Sequence, residues 1–200
     1  LNNETVTITG SSAAAADLKA IDTATSGVVT VNSTTITGNY ADLNIVYTAN
    51  GAGTITGLGN EAITASGSIS VANANTLSAF TTGALTATIS DNDMSTLDGI
   101  TESGHALTIS VTDDSVAASN LNTLDGKTTV AVGVTSTTVT GSAADVKAAY
   151  DANTAGTISG LGNEAVTISG SSAAASDLIA INSATTGVVT VNSTTITGTA

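Results

Sequence analysis

A long internal repeat constrains the fold of this chain more than any other feature. Residues 6–38 and residues 166–198 are identical at 27 of 33 positions, at an offset of 160 residues. A second pair of stretches, 36–67 and 139–170, matches at an offset of 103 residues. A closed globular domain has no physical reason to repeat a phrase of this length, whereas a stack of similar modules does. The sequence therefore predicts an array of repeats.

Weaker copies fill the middle of the chain and set the repeat length. Their common mark is a leucine or valine followed three residues later by another apolar residue, at Leu18, Leu43, Leu77, Leu97, Leu121, Val146 and Leu178. The spacing predicts repeats of roughly 25 residues, and both long intervals contain Gly-Leu-Gly-Asn-Glu-Ala, at 57–62 and 160–165. We expect one array over 1–200, an excerpt of a longer chain, with units near 6–29, 30–62, 63–85, 86–107, 108–131, 132–165 and 166–189 and the start of another at 190–200.

Each repeat combines two kinds of segment. In the first, valine and isoleucine alternate with threonine, as in V-T-I-T-G, which is typical of a strand with one buried face. In the second, S-A-A-D-V-K-A-A-Y at 142–150 places apolar residues at helical spacing and predicts about two helical turns. We therefore expect an all-β or β-rich fold, a parallel β-solenoid of about seven coils with a short helical or 3₁₀ segment in each. The alternative is a β-sandwich.

Composition explains how such an array folds and which partners it lacks. Phe80 is the only phenylalanine, there are three tyrosines and no tryptophan, yet 41% of residues are apolar and the mean hydropathy is +0.32. Small β-branched residues must therefore fill the core. Three basic against sixteen acidic residues give a net charge of −13, which excludes nucleic-acid binding and opposes contact with anionic membranes. No apolar run of 18 residues is present, so we expect no membrane insertion.

The residues that usually carry catalysis are too sparse to predict an enzyme. His105 is the only histidine, and we expect it to be a solvated or packed loop residue. The lysines are scattered, and Lys19 is matched by Ile179 in the second copy. The chain has no cysteine, so disulfides and thiolate chemistry are excluded. No nucleophile-elbow, phosphate-loop or metalloprotease motif occurs.

Calcium is the ligand that the acidic residues favour most. Asp91, Asp93, Asp113 and Asp114 are the candidate ligands. Asp91 and Asp93, with Ser95 and Glu102, follow the spacing of an EF-hand loop, but Thr96 replaces the required glycine. The other interpretation is a solvated acidic edge that keeps filaments apart.

Two further sets of acidic residues recur within the repeats. Asp98 and Asp125 occupy matching Leu-Asp-Gly corners, where stacked carboxylates would favour a cation. Glu61 and Glu164 stand at one place in the Gly-Leu-Gly-Asn-Glu-Ala phrase. We expect these two glutamates to orient a corner by hydrogen bonding to backbone rather than to bind metal.

Several phrases together resemble the repeats of a known class of protein. They are S-A-A-D-V-K-A-A-Y, N-T-L-D-G-K-T-T, G-T-I-S-G-L-G-N-E-A-V-T-I-S and S-T-T-V-T-G. The resemblance is to giant cell-surface proteins of marine cyanobacteria and some other bacteria, one of which is required for non-flagellar swimming. It implies a secreted, surface-associated filament or adhesin-like stalk, and it implies no catalytic residues.

The predicted role is therefore structural. We expect a segment of a long extracellular or cell-surface filamentous protein, acting as a stiff rod or spacer in a surface coat, adhesion or motility. The predicted partners are neighbouring copies, end to end or side by side, and cell-surface components. The alternative is an adhesin module that binds calcium or glycan.

Overall fold

The structure, a computed structural model, describes residues 2–198 and divides into two compact units. The first runs up to Ser90 and includes Gly104–Leu107, and the second consists of Asp91–Ser103 and the residues from Thr108 onward. Both units alternate strands with helices, which make up 30% and 34% of the chain. We call one passage through short strands into a helix a repeat.

The first unit contains strands of two to eight residues and helices of eight to thirteen. In chain order they are β1 (Val6–Ile8), β2 (Ser12–Ala14), α1 (Ala15–Ala24), β3 (Val29–Val31), β4 (Thr35–Gly38), α2 (Tyr40–Ala52), β5 (Ile55–Thr56), β6 (Ala62–Ile69), α3 (Val71–Ser78), β7 (Leu85–Ile89) and, after the first residues of the second unit, β8 (Ala106–Thr108).

The second unit begins with one turn of helix and then follows the same alternation. Its elements are α4 (Met94–Leu97), β9 (Ser110–Val111), β10 (Ser115–Ala117), α5 (Ala118–Asp125), β11 (Val132–Val134), β12 (Thr138–Gly141), α6 (Ala143–Ala155), β13 (Ile158–Ser159), β14 (Ala165–Ile168), β15 (Ser172–Ala174), α7 (Ala175–Ala184), β16 (Val189–Val191) and β17 (Thr195–Thr197).

The predicted fold class, an all-β or β-rich solenoid with short helical segments, is wrong, and so is the sandwich alternative. The chain is an α/β repeat protein with parallel sheets. The segment predicted as two helical turns is α6, which has 13 residues. It extends so far because alanine costs little in a helix, Ser142 caps its first turn and Gly156 ends it in the left-handed conformation. Period-2 strand patterns are conspicuous in this sequence, whereas the alanine-rich helices between them show little contrast between an apolar and a polar face.

Strands of successive repeats pair in parallel and in register. β1 pairs with β3 so that Val6 lies opposite Val29, and β10 pairs with β12 so that Val116 lies opposite Val139. Equivalent side chains therefore stack from one repeat to the next and build an aliphatic core in each unit. This stacking explains how a chain with so few aromatic residues buries enough apolar surface.

The Gly-Leu-Gly-Asn-Glu-Ala phrase follows the last strand of one sheet in each unit. In the second unit, ordinary repeats add one strand to each of two sheets, ordered β9-β11-β13 and β10-β12-β14-β16. The phrase at 160–165 follows β13 at the end of the first sheet, and β15 then starts a new sheet with β17. β5 likewise ends the sheet β1-β3-β5 in the first unit, just before the phrase at 57–62.

The leucine or valine that marks each repeat in the sequence lies in a helix. Within residues 2–198 the seven marked positions fall one in each of the seven helices, and all except Leu178 are buried. Each buried mark anchors its helix on the strands of its unit. The apolar spacing in the sequence thus located the helices correctly but did not give their lengths.

Candidate functional site

Among the described residues, the buried acidic side chains lie in two corners formed by the repeated Gly-Leu-Gly-Asn-Glu-Ala phrase. The side chain of Glu61 is only 3% exposed. Its Oε2 accepts hydrogen bonds from the backbone N–H groups of Gly59 at 2.8 Å and Asn60 at 3.1 Å. Its Oε1 accepts a hydrogen bond from the hydroxyl of Tyr47. The buried carboxylate therefore has three donors, which a buried anion requires.

The second corner repeats this geometry 103 residues later. Glu164, 2% exposed, accepts from the N–H groups of Gly162 at 2.8 Å and Asn163 at 3.0 Å, and from the hydroxyl of Tyr150. The expectation that these glutamates hold a corner through backbone hydrogen bonds is confirmed. The tyrosines were missed, although both stand 14 residues before their glutamate.

Glycine makes the corner loop possible at two matching positions. Gly57 has φ +91° and Gly160 has φ +94°, values that residues with a side chain rarely adopt. A Cβ on Gly57 would also lie 2.3 Å from the carbonyl oxygen of Val31, and one on Gly160 would lie 2.1 Å from that of Val134. The loop therefore crosses the backbone of the preceding repeat at a distance that only glycine allows.

A long helix positions each tyrosine and also holds the corner loop. In α2, Tyr47 is buried beside Leu43 and Val46. Asn50, one turn later, accepts a hydrogen bond through Oδ1 from the N–H of Leu58 in the loop, at 3.2 Å. In α6, Asn153 makes the same bond to the N–H of Leu161. One face of each long helix therefore supplies both a donor and an acceptor to the corner.

A threonine in the next repeat closes each corner from outside. The hydroxyl of Thr81 donates to the carbonyl oxygen of Glu61 at 2.6 Å and accepts from the N–H of Gly83 at 2.9 Å. Thr185 does the same with Glu164 and Gly187.

This closure occurs a third time, at the first repeat. The hydroxyl of Thr25 donates to the carbonyl oxygen of Glu4 at 2.7 Å and accepts from the N–H of Gly27 at 3.0 Å. A Thr-x-Gly phrase therefore joins one repeat to the previous one at Glu4, Glu61 and Glu164. Sequence reasoning missed this role of the threonine, which the recurring Thr-Thr-Gly and Thr-Ser-Gly phrases could have indicated.

The electrostatics of the corners favour a structural role. Burial, and then the hydrogen bond to Glu61, raise the pKa of Tyr47 far above its usual value, and the same causes raise the pKa of Tyr150. Both phenols therefore keep their protons under ordinary conditions. Because the carboxylates are buried and already hydrogen bonded, they are poorly placed to exchange protons with a substrate.

Two of the four calcium candidates, Asp93 and Asp113, accept hydrogen bonds from backbone or hydroxyl donors. Asp93 caps α4, where Oδ1 accepts from the N–H of Thr96 at 3.0 Å and the hydroxyl of Ser95 at 2.6 Å. Hydrogen bonds from Ser95 and Thr96 lower the pKa of Asp93. Asp113 accepts from the N–H of Met94 at 2.8 Å, while Asp114 is exposed and Asp91 half-buried.

No cluster of metal-ligating side chains occurs among residues 2–198: three or more histidine, aspartate or glutamate residues do not converge. In the matching Leu-Asp-Gly corners, Asp98 accepts from Nδ2 of Asn120 at 3.0 Å, and Asp125 accepts from the hydroxyl of Thr157 at 3.0 Å. The geometry thus gives the calcium hypothesis no support, and calcium binding stays a prediction.

His105 and the three lysines make contacts within the chain. His105 is buried, and its Nδ1 accepts from the N–H of Leu85 at 3.2 Å, so it is packed as expected. Lys19 pairs with Asp42 on the next helix, and Lys147 pairs with Asp151 one turn along α6. Lys127 donates through Nζ to the carbonyl oxygen of Thr101 at 2.9 Å.

Comparison with protein-family models, curated proteins and solved structures found no match for this chain. Across the described residues, no helix combines the length and the apolar character that crossing a bilayer requires.

Proposed function

We propose that this chain is a structural segment of a long extracellular, cell-surface repeat protein, in which it serves as a folded spacer. The observation that carries the proposal is the exact recurrence of the tyrosine–glutamate corner. Two corners with the same donors and acceptors stand 103 residues apart, and each follows directly after the strand that ends one sheet of its unit. A buried hydrogen-bonded corner that recurs along the chain stabilises the stacking of repeats. A catalytic or binding site, by contrast, needs polar groups that a ligand can reach.

Charge and composition support the extracellular part of the proposal. The net charge of −13 opposes non-specific association between neighbouring copies. The chain has no cysteine, so its stability does not depend on the redox state of its surroundings. The resemblance of its phrases to giant bacterial surface proteins supports a place on the cell surface.

Single-molecule pulling on the whole chain, held at its two ends, tests the spacer role. We expect discrete unfolding events, because ladder hydrogen bonds and corners must break together. Removing both corners in a Glu61→Ala, Glu164→Ala double variant should lower the unfolding force. Lys147→Gln, which removes only an exposed ion pair, should leave it unchanged. Smooth extension without unfolding events would contradict the proposal.

Thermal melting with added calcium or with a chelator separates the spacer from a calcium-binding adhesin. We expect the same melting temperature in both, because Asp93 and Asp113 already accept hydrogen bonds from the protein. A ligand that bound only the folded chain would raise the melting temperature by mass action. A large calcium-dependent rise would therefore favour the adhesin alternative.

A further inference from the structure

His105 is a buried titratable side chain that lies where two repeats of the first unit meet. It is 9% exposed and directly precedes β8, the strand that follows β7 in the sheet β2-β4-β6-β7-β8. Its Nδ1 accepts a hydrogen bond from the backbone N–H of Leu85, the first residue of β7, at 3.2 Å. The imidazole therefore holds the start of one strand against the segment that leads into the next.

One repeat earlier, the same place in the sequence is a glycine. The phrase G-A-L-T that begins at Gly83 recurs as H-A-L-T beginning at His105, and Ser103 stands where the first phrase has Thr81. Thr81 joins its repeat to the previous one through a hydroxyl bonded to the carbonyl oxygen of Glu61, and neither group binds a proton near neutral pH. Where His105 replaces the glycine, the contact between repeats includes an imidazole, whose charge does change near neutral pH.

The hydrogen bond from Leu85 fixes which nitrogen of the ring carries a proton. A ring nitrogen that accepts a hydrogen bond is unprotonated, so the neutral imidazole of His105 carries its proton on Nε2. A second proton, on Nδ1, would point at the N–H of Leu85, and two donors would then face each other in a buried place. Protonation therefore costs free energy twice, through the lost hydrogen bond and through the burial of a charge.

The charged groups around this contact offer the protonated ring little compensation. Over their described ranges, β6, β7, β8 and the helix packed on β7, α3, contain no titratable residue. In the flanking segments, the carboxylate of Glu61 is engaged in its corner, Asp91 is half-buried two residues after β7, and Lys127 donates to a backbone carbonyl. Glu102 stands three residues before His105 but is exposed, and an ion pair with a solvated carboxylate contributes little.

We propose that His105 is an acid-sensitive switch: its neutral ring holds the start of β7 at neutral pH, and proton uptake breaks this contact and loosens β8 from β7. The opened segment binds a proton near the ordinary pKa of histidine, about 6.5, whereas the ring that accepts from Leu85 does not. The contact is therefore intact above that pH and weakens as the pH falls through it, by about a factor of ten in the opening constant for each pH unit. The inference is independent of the extracellular role.

Nuclear magnetic resonance of the whole chain tests the switch directly, because His105 is the only histidine. We expect its ring nitrogens to show the Nε2–H tautomer at neutral pH, and the ring to bind its second proton only as the amide of Leu85 loses protection from hydrogen exchange. The amide of Ile63, which donates to the carbonyl oxygen of Ala84, is the internal reference. The ratio of the exchange rate of Leu85 to that of Ile63 should rise about tenfold per pH unit below about pH 6.5.

Two variants separate the imidazole from other sources of pH dependence. His105→Asn offers an amide oxygen that can accept from Leu85 and does not titrate, so the rise in the exchange ratio at low pH should disappear. Glu102→Gln removes an exposed charge close in sequence and should leave the rise unchanged. If His105→Asn does not fold, the titration of the ring in the unmodified chain still decides the question.

Three outcomes would overturn the proposal. If the ring binds its second proton near pH 6.5 while the amide of Leu85 stays protected, the hydrogen bond does not govern proton uptake. If the exchange ratio rises in His105→Asn as it does in the unmodified chain, another group is responsible. If Glu102→Gln abolishes the rise, the effect comes from surface charge and not from the contact between His105 and Leu85.

Discussion

The two corners share their hydrogen bonds but differ in their apolar cover. In the first unit the ring of Tyr47 stacks on Phe80, with centroids 5.2 Å apart and planes inclined by 5°. Phe80 directly precedes the Thr-Thr-Gly phrase, and in the second unit Ala184 occupies this place. Ala184 and Tyr150 line a cavity of about 290 Å³ between α6 and α7.

This difference shows which contacts of the corner are shared by both copies and which vary between them. The carboxylate, two N–H groups and the phenol recur in both copies, whereas the cover changes from an aromatic ring to a methyl group. A buried carboxylate tolerates no missing donor, because each unsatisfied polar group costs free energy. Replacing a large apolar side chain by a smaller one costs less free energy of unfolding, and the cost depends on how far the surrounding residues close the cavity.

The largest expected effect comes from removing the carboxylate. Glu61→Ala or Glu164→Ala leaves two backbone N–H groups and a buried phenol without their acceptor, and each variant should lose about 3 kcal/mol or more of unfolding free energy. Urea denaturation measures the loss, and amide hydrogen exchange at Gly59 or Gly162 reports it locally. Glu102→Ala, at an exposed glutamate, is the control and should change little.

If the corners are equivalent, Glu61→Ala should raise the amide exchange rate of Gly59 by the same factor as Glu164→Ala raises that of Gly162. Faster exchange at Gly162 alone would mean that the stacked Phe80 holds the first corner without its carboxylate. That result would mean that the apolar contact, rather than the hydrogen bonds to the carboxylate, stabilises the first corner.

The next effect tests the contact between the threonine phrase and the corner. A Cβ on Gly83 would lie 2.3 Å from the carbonyl oxygen of Glu61, and one on Gly187 would lie 2.0 Å from that of Glu164. Gly83→Ala and Gly187→Ala should therefore each cost about 2 kcal/mol, because backbone must move. Gly51→Ala in α2 meets no atom within 4 Å and should be neutral or slightly stabilising. Equal melting temperatures for Gly83→Ala and Gly51→Ala would refute the close approach.

Alkaline pH should destabilise both corners. Burial and the glutamate hydrogen bond raise the pKa of Tyr47 and Tyr150 in the folded chain above their ordinary value of 10. The unfolded chain releases these protons above about pH 10 and the folded chain keeps them, so stability is intact below that pH and falls above it. The loss is about 1.4 kcal/mol per pH unit for each tyrosine.

Tyrosinate absorbance and circular dichroism followed together check this expectation. Tyr47 and Tyr150 should ionise only as the chain unfolds, and Tyr150→Phe should halve the slope of stability against pH. Ionisation of both phenols near pH 10 in a chain that stays folded would contradict the buried hydrogen bonds.

The repeat architecture and the strand pairing could be predicted from the sequence, because copies of one segment that stack on each other must pair in the same way throughout. The parallel in-register pairing followed from phrases such as Val6–Ile8 and Val29–Val31, whose side chains must stack if the repeats do. The helical class did not follow, because alanine-rich segments such as 143–155 carry little amphipathic contrast and their length depends on caps at Ser142 and Gly156.

The corner was predictable only in part. Its glutamate stood out because a charged residue recurred in a glycine-rich phrase. Tyr47 and Tyr150 did not, because a tyrosine at helical spacing fits an ordinary core, and only the fold brings a residue 14 positions away onto Oε1. Longer-range contacts such as that of Thr81 with Glu61 depend on which residues of successive repeats lie next to each other, and the sequence alone does not give this register.

The smallest expected effect comes from exchanging the covers. Phe80→Ala removes the ring stacked on Tyr47 and should lower the unfolding free energy by about 1–2 kcal/mol, while Ala184→Phe should raise it by about 1 kcal/mol if the new ring reaches Tyr150. Ala184→Leu adds apolar volume without an aromatic face, so the difference between the leucine and phenylalanine variants isolates stacking. Tyrosine fluorescence and urea denaturation measure the two outcomes together. If both larger residues destabilise the chain, the cavity beside Tyr150 cannot be filled by a side chain from α7. The reason would be the backbone, because α7 continues through Ala184 whereas α3 ends at Ser78, two residues before Phe80. In that case the path of the backbone, rather than the side chain at this position, sets the difference between the corners.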